Sequence, residues 1–280
     1  MSDKSRLKTI KTITQVKSNQ KCENKRQALS QIKRIDWKSL EFRTKNQKTF
    51  YRTIGRNDVT FSIGPAGCGK TYLATHYALK NLAQGKYENM IITKPLVEVD
   101  GERLGYLPGD IDEKTAPFMM SLYYNMEQII GKERLGVLRN SGMVKVIPLA
   151  YMRGLTLTDS IVVLDEAQNA TPSQIKTFIT RIGDRSKYII NGDLMQSDIR
   201  GTNGLDDAIK RFTGVKRVGF SKFDLSDVVR HPIVGELLER YQNDYKLGEM
   251  SAEQTLSMWL EKQEYDDPKT KSSYFYNLRN

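Results

Sequence analysis

The sequence contains few of the residues that form disulfides and zinc sites. Among its 280 residues there are two cysteines, Cys22 and Cys68, and two histidines, His76 and His231. These numbers are too small for a disulfide framework or a Cys/His zinc site, and they predict a cytoplasmic protein in a reducing compartment. The sequence also lacks an apolar N-terminal signal segment and any run of about eighteen apolar residues, the length that a membrane span needs. We therefore expect no membrane partner.

The basic residues are concentrated at one end of the chain. Residues 1–50 contain fourteen Lys and Arg against four Asp and Glu, a net charge of +10, whereas the whole chain carries +11. This asymmetry predicts a basic, flexible N-terminal arm over residues 1–40 that is attracted to polyanions. An arm that only keeps the protein in solution is the alternative.

Apolar runs and helical patterns alternate after this arm. Strands are predicted at 59–64, 89–95, 144–150, 160–167, 186–192 and 215–221, and helices near 46–55, 70–84, 172–183, 203–212 and 231–243. Strands that alternate with helices predict an α/β fold, in which a mainly parallel sheet lies between helices. We expect one domain over 41–245 and a helical or extended tail over 246–280. The long insertion at 96–130 is a candidate substrate-facing element.

A glycine-rich loop carries the strongest chemical signal. In "FSIGPAGCGKTYLA" (61–74), the stretch GPAGCGKT matches G-x-x-x-x-G-K-[ST], the phosphate-binding P-loop, between a predicted strand and a predicted helix. Its glycines let successive N–H groups point at one anion, and the helix N-terminus adds its dipole. Lys70 is expected to reach the β and γ phosphates, and the Thr71 hydroxyl to hold Mg²⁺. The nucleotide-binding set is Gly64, Pro65, Ala66, Gly67, Cys68, Gly69, Lys70, Thr71 and Tyr72.

Cys68 is open to two interpretations. A thiol at a helix N-terminus has a lowered pKa and can be oxidised. Alternatively, cysteine is simply a small residue that fits this variable position of the loop.

Two carboxylates follow a buried strand pattern in "SIVVLDEAQ" (160–168). Such a strand delivers both acids to the carboxyl edge of a parallel sheet, which is the Walker B arrangement. Asp165 is expected to hold Mg²⁺ through water, and Glu166 to orient and polarise the attacking water. The second acid favours a hydrolase over a kinase.

Two glutamines are candidates for reading the nucleotide. In "NGDLMQ" (191–196), Gln196 follows a strand and can sense the γ-phosphate or position the water; an Asn-Gly-Asp turn is the alternative. No N-K-x-D element for guanine is present, which favours ATP. Gln47 precedes the first strand, and its amide can pair with the N6/N7 edge of adenine. A surface glutamine is the alternative.

Several stretches together resemble the PhoH-like family of P-loop ATPases, which is similar to superfamily 1 helicases. In order across about 46–235 they are "NQKTFY", "GPAGCGKTYLA", "ITKPLVEV", "GERLGYLPGDIDEKTAPF", "PLAYMRGLTL", "IVVLDEAQNATPSQIKTFITRIG", "NGDLMQSDI" and "DVVRHPIV". The resemblance implies a single RecA-like core that binds and hydrolyses ATP with Mg²⁺. It also implies adenine at Gln47, metal at Thr71 and Asp165, water activation by Glu166 and γ-phosphate sensing by Gln196.

The resemblance adds a candidate arginine and two departures. Arg230 in "VVRHP" resembles a charge-neutralising catalytic arginine, although an ordinary surface arginine is the alternative. Arg153 and Arg181 are further candidates for that role. The sequence shows no nuclease carboxylate cluster of the PIN type that some family members carry, so nuclease activity is not expected. Asn191 stands where the family often has Thr.

These observations leave three classes of function. The first is an ATP-driven, helicase-like protein acting on RNA or single-stranded nucleic acid. The second is an ATPase that acts as a switch or assembly factor on protein partners, and the third is a small-molecule kinase. Because one RecA-like core cannot enclose a nucleotide between two domains of its own chain, a neighbouring subunit is expected to complete the site. We therefore predict a homo-oligomer, with a hexameric ring as the first hypothesis.

Overall fold

The computed structural model describes residues 23–35, 37, 40–96, 111–199 and 201–229, together with positions 233 and 237; for 111–116 it describes the backbone alone. The chain divides into two compact units, Met1–Arg230 and His231–Asn280. The predicted helix over 231–243 and the predicted tail over 246–280 belong to the second unit, where the structure describes positions 233 and 237 alone, both helical. All elements below belong to the first unit.

Strands and helices alternate along the first unit. The strands are β1 (Val59–Ile63), β2 (Asn89–Thr93), β3 (Val144–Val146), β4 (Ser160–Leu164), β5 (Lys187–Gly192) and β6 (Val218–Lys222). The helices are α1 (23–32), α2 (Lys45–Arg56), α3 (Lys70–Ala83), α4 (Ile111–Ile130), α5 (Lys132–Asn140), α6 (Pro172–Ile179) and α7 (Gly204–Phe212). Short 3₁₀ turns lie at Leu149–Met152, Ala167–Asn169 and Leu225–Asp227. The structure therefore confirms the helices α2, α3, α6 and α7 and a strand at each of the six predicted places. The strands β3 and β4 are shorter than predicted, because 3₁₀ turns follow at Leu149–Met152 and Ala167–Asn169.

The six strands form one sheet in the order β3-β2-β4-β5-β1-β6, and every neighbouring pair is parallel. This is the RecA-like arrangement, so the predicted α/β fold class is confirmed. Because all strands run in the same direction, the loops after β1, β4 and β5 meet at one edge. The strand β5 lies between β1, which precedes the P-loop, and β4, which precedes the two acids.

The strands are buried on both faces because helices cover the sheet on each side. In β4, Ile161 and Val163 point into one hydrophobic core, whereas Val162 and Leu164 point into the other. The first core is shared with helices α1 to α5, and the second with α6 and α7. Alternate residues of β4 face opposite sides of the sheet, and both sides are covered by helices. The strand is therefore apolar at every position from Ile161 to Leu164.

Capping residues stabilise the N-termini of helices α6 and α7. At α6, the Thr171 side chain accepts a hydrogen bond from the Gln174 N–H while the Gln174 side chain accepts one from the Thr171 N–H, and Pro172 occupies the first turn. The Asn203 side chain caps α7 by accepting from the N–H groups of Leu205 and Asp206. These contacts satisfy N–H groups that have no partner within the helix.

Part of the predicted N-terminal arm packs on the hydrophobic core of the first unit. Ala28 and Ile32 of α1 are fully buried and belong to the same hydrophobic core as α2 and α3. Lys25 forms an ion pair with Glu88. Residues 1–22 of the predicted arm lie outside the described residues. Among the helices that the structure describes, none is both long and apolar enough to cross a bilayer.

Candidate functional site

The P-loop connects β1 to α3 through three glycines with positive φ angles. Gly64, Gly67 and Gly69 have φ values of 153°, 88° and 81°. A Cβ atom on Gly64 would lie 2.6 Å from both Phe223 Cβ and the Phe223 carbonyl oxygen, so the chain passes too closely for any side chain there. The loop therefore needs glycine for its conformation and for its close packing.

Lys70 lies inside this loop. Its Nζ donates to the carbonyl oxygens of Gly64 at 2.6 Å and Pro65 at 2.7 Å, and the side chain is buried. Burial lowers the pKa of Lys70, although neighbouring acidic groups oppose that shift. Within the described part of the chain, no hydrogen bond occupies the N–H groups of Gly67, Gly69 or Lys70. A buried cation beside N–H groups without acceptors is a suitable environment for a phosphate.

Thr71 and Asp165 meet although 94 residues separate them. The Thr71 hydroxyl donates to Asp165 Oδ1 at 2.7 Å. Asn191 Nδ2 lies 3.4 Å from the same oxygen, and Asn191 Oδ1 accepts from the Ser62 hydroxyl at 2.7 Å. Burial, reinforced by the adjacent Glu166 carboxylate, raises the pKa of Asp165 to about 6. A cation beside Asp165 would offset the cost of its buried negative charge.

This pair fits Mg²⁺ in its usual P-loop setting. Mg²⁺ in such sites takes few protein oxygens, because phosphates and water supply the rest of its coordination shell. Thr71 and Asp165 offer a hydroxyl and a carboxylate oxygen at one point. In the described residues, there is no cluster of three or more His, Cys, Asp or Glu that could form a self-sufficient metal site.

Glu166 adopts a left-handed backbone conformation, with φ 54° and ψ 41°. This conformation is uncommon for a residue with a side chain, and such strain concentrates at functional sites. Its Oε2 accepts a hydrogen bond of 2.6 Å from Gln168 Nε2. The turn after β4 therefore separates the two acids: Asp165 is buried beside Thr71, whereas Glu166 faces the open cavity.

Gln168 is a site residue that the sequence analysis missed. It is 2% exposed. Its amide donates to Glu166 and accepts at Oε1 from the Asp193 N–H at 3.0 Å. Gln168 thus ties the acid after β4 to the loop after β5. Its place two residues after Glu166 in "DEAQ" was the available signal, but the sequence did not show what its amide would bind.

Replacing Gln168 by Ala is expected to lower kcat for the predicted ATP hydrolysis about 10- to 100-fold with a small change in KM, because Glu166 would lose its positioning contact. Steady-state kinetics separate the two parameters, and a thermal melt checks the fold. Gln84→Ala, at an exposed position after α3, is the control. An unchanged kcat in a folded Gln168→Ala protein would show that Glu166 does not need this contact.

A cavity of about 290 Å³ unites most of the predicted site residues. Its lining consists of Ala66, Gly67, Gly69, Lys70, Thr71, Tyr72, Asn125, Asp165, Glu166, Gly192, Asp193 and Gln196. Asn125 comes from α4, so the predicted insertion does reach the P-loop. A second cavity of about 560 Å³ shares Glu166 and Gln196 with the first and is also lined by Lys94, Phe118 and Met195. A ligand in the second cavity would touch two residues of the first.

Gln47 contacts the P-loop at Cys68, away from the cavity. The buried Gln47 donates from Nε2 to the Cys68 carbonyl at 3.1 Å and accepts at Oε1 from the Arg43 N–H at 2.8 Å. Both ends of its amide are thus engaged with backbone, and it does not line the cavity. Burial raises the pKa of the Cys68 thiol to about 11, which favours the packing interpretation over the reactive one. The adenine contact of Gln47 stays a prediction.

Of the candidate arginines that the structure describes, neither Arg153 nor Arg181 lines the 290 Å³ cavity. Arg230 lies outside the described residues, although the preceding Val229 donates its N–H to the Gly67 carbonyl at 3.1 Å. Arg181 donates to the carbonyls of Thr177 and Leu155 and to the Thr180 hydroxyl. Arg153 is exposed after the 3₁₀ turn at Leu149–Met152. For Arg153 and Arg181, the structure shows no contact with this site.

The RecA-like sheet, the P-loop with its buried lysine and the Thr71–Asp165 contact define the class of P-loop NTPases. Residues 39–242 match the PhoH-like protein family, and the chain belongs to that family. It is 44% identical over 206 residues to the PhoH-like protein of Bacillus subtilis (strain 168). That alignment covers 73% of this chain and 64% of the Bacillus protein. It is 38% identical over 203 residues to the Protein PhoH of Escherichia coli (strain K12), covering 71% and 57%. The chain thus spans about six-tenths of the length of these curated relatives.

Solved structures show more distant similarity. The large terminase from a thermophilic bacteriophage matches with a TM-score of 0.44 and 13% identity, over 74% of this chain and 51% of that chain. Bacteroides Pif1 bound to ssDNA matches with a TM-score of 0.35 and 16% identity, over 72% and 46%.

Proposed function

We propose that this chain binds ATP with Mg²⁺ and hydrolyses it, and that it couples this turnover to RNA or another single-stranded nucleic acid. The observation that carries the hydrolase part is the convergence of Lys70, Thr71, Asp165 and Glu166 at one cavity. A phosphate-binding loop, a metal pair and a candidate general base are the components that phosphate-bond hydrolysis needs.

The residues of the loop would bind the triphosphate. Lys70 would exchange its two carbonyl partners for phosphate oxygens, and the N–H groups of Gly67 and Gly69 would donate to the same anion. Thr71 and Asp165 would hold Mg²⁺, which, when bound, withdraws charge from the phosphate oxygens. Asn191 keeps the Asp165 carboxylate oriented by its contact at 3.4 Å.

Glu166 would orient the attacking water and accept its proton. Its carboxylate is exposed to the cavity, and the Gln168 amide restricts its direction. Gln196 lines the same cavity and would contact the γ-phosphate or the water. Both residues also line the second cavity, so a ligand there would be placed to influence hydrolysis.

The experiment for this function measures ATP turnover with RNA, with single-stranded DNA and with neither. We expect free phosphate as the product and a higher turnover when RNA is present, because a nucleic acid in the second cavity would contact Glu166 and Gln196. Turnover that ignores nucleic acid would favour the alternative, a switch that acts on protein partners. A phosphorylated small molecule in place of free phosphate would indicate a kinase.

The oligomer belongs to the same proposal. No arginine lines the nucleotide cavity among the residues that the structure describes, and an arginine from a second subunit is one way to neutralise the developing charge. We expect self-association, with a hexameric ring as the first hypothesis. Light scattering with and without an ATP analogue measures the mass, and a monomer in both conditions would remove this part of the proposal.

A further inference from the structure

One face of helix α2 carries a row of basic side chains. Lys45, Lys48, Arg52 and Arg56 are all exposed, and the helix contains no Asp or Glu. At 3.6 residues per turn, these four positions fall within an arc of about 80° and extend along about 16 Å of the helix. We call these four residues the basic stripe.

No ion pair in the described part of the chain involves a residue of the basic stripe. Ion pairs in the described part of the chain involve other basic residues, namely Lys25, Arg185, Lys210, Arg211 and Arg217. An unpaired row of like charges is unfavourable by itself and becomes favourable when an anion lies along it. The stripe is therefore a candidate surface for an extended polyanion.

The opposite face of α2 argues against insertion of this helix into a membrane. Gln47, Phe50 and Ile54 point away from the stripe and are buried in the protein core. A basic amphipathic helix that binds a bilayer inserts its apolar face, and here that face is already occupied. The stripe can therefore attract a ligand only through its exposed positive charges, and the phosphate backbone of a nucleic acid is a ligand of that kind.

The stripe is also physically connected to the P-loop. The Gln47 amide on α2 donates to the Cys68 carbonyl within the loop at 3.1 Å. One residue earlier, Asn46 Nδ2 donates to Asp227 Oδ2 at 2.8 Å, close to the segment in which Val229 contacts Gly67. A ligand that restrains α2 would therefore also restrain the P-loop backbone, which is expected to surround the phosphates.

We propose that the basic stripe of α2 binds the phosphate backbone of single-stranded RNA. This inference rests on the proposed nucleic-acid function and assigns a surface to it. Flexible basic side chains along one helix can each neutralise a separate phosphate of a flexible strand. Binding of this kind has no base specificity and weakens with salt.

The test compares three full-length proteins by fluorescence anisotropy with a labelled oligouridine RNA across a salt series. The stripe variant combines Lys45→Gln, Lys48→Gln, Arg52→Gln and Arg56→Gln, which preserves helix propensity. The control combines Lys86→Gln, Lys132→Gln, Lys176→Gln and Lys216→Gln, which removes the same charge from scattered exposed positions.

We expect the stripe variant to lose about a hundredfold in RNA affinity at about 0.1 M salt, and the slope of log K against log salt to become shallower by about 2 to 3. The control should change both quantities far less. The stripe variant should keep basal ATP turnover and lose its stimulation by RNA, because none of the four residues lines the nucleotide cavity.

The outcomes separate this inference from the proposed function. If both variants lose RNA affinity equally, the effect is net charge and the stripe is not a site. If the stripe variant binds RNA like the wild type, RNA lies elsewhere and this inference fails while the proposed function stands. If the wild-type protein neither binds RNA nor responds to it, the nucleic-acid function itself fails. If the stripe variant loses binding to anionic lipid vesicles while its RNA affinity is unchanged, the stripe binds a membrane surface and the inference fails.

Discussion

Replacing Glu166 by Gln is expected to lower kcat for ATP hydrolysis about 10²–10⁴-fold while ATP stays bound. The substituted side chain keeps its size and can still accept the hydrogen bond from Gln168, so the cavity retains its shape. It cannot accept a proton from water, and that step is the one removed. Phosphate release measures turnover, and titration with a fluorescent ATP analogue measures binding.

Glu133→Gln is the matched control, since Glu133 is an exposed residue on α5. It should leave both measurements unchanged. If Glu166→Gln hydrolyses ATP at nearly the wild-type rate, another group activates the water, and the assignment of Glu166 as the base is wrong. If ATP binding is lost as well, the substitution has disturbed the P-loop and not the chemical step alone.

Replacing Lys70 by Ala is expected to weaken ATP binding about 10²–10⁴-fold. Hydrogen bonds to charged groups contribute about 1.5–3 kcal/mol each, and Lys70 Nζ makes two contacts in the loop that it would exchange for phosphate oxygens. Since about 1.4 kcal/mol corresponds to a tenfold change in affinity, two such contacts give this range. The same fluorescent titration measures the loss.

Lys80→Ala, on the same helix α3, is the control for the removal of a positive charge. A thermal melt is needed beside the titration, because the carbonyls of Gly64 and Pro65 lose their donor when Lys70 is truncated. Full ATP affinity in a folded Lys70→Ala protein would contradict the placement of the triphosphate in this loop. The two substitutions together distinguish binding from hydrolysis.

Most of the described fold could be predicted because its elements have strong local patterns. The strands β4 and β5 are buried along their whole length, and α6 begins with Thr171, Pro172 and Gln174, which form its cap. The helices α1, α4 and α5 were not predicted. The buried residues Ala28 and Ile32 are too few to give α1 an apolar pattern, and packing against the core stabilises that helix.

The site residues that are close together in the sequence were predicted better than those that meet only in the fold. The P-loop is encoded by consecutive residues, so Lys70 and Thr71 occupy the expected positions. The adenine contact of Gln47 stays a prediction, and in this structure its amide binds the Arg43 N–H and the Cys68 carbonyl. Gln168 was missed because its partners, Glu166 and Asp193, come from the ends of two different strands. A contact of that kind has no signature in local spacing.

The sequence by itself determined the anion-binding loop, the two acids at a strand end and the alternation of strands and helices. These features follow from glycine conformations, apolar periodicity and the order of neighbouring residues. The tertiary structure decided which distant groups meet. It placed β5 between β1 and β4, which brings Thr71 and Asn191 to Asp165, and it turned the charges of α2 outward as a row. Such contacts depend on strand order and on packing between elements, and neither is written in any short stretch of the chain.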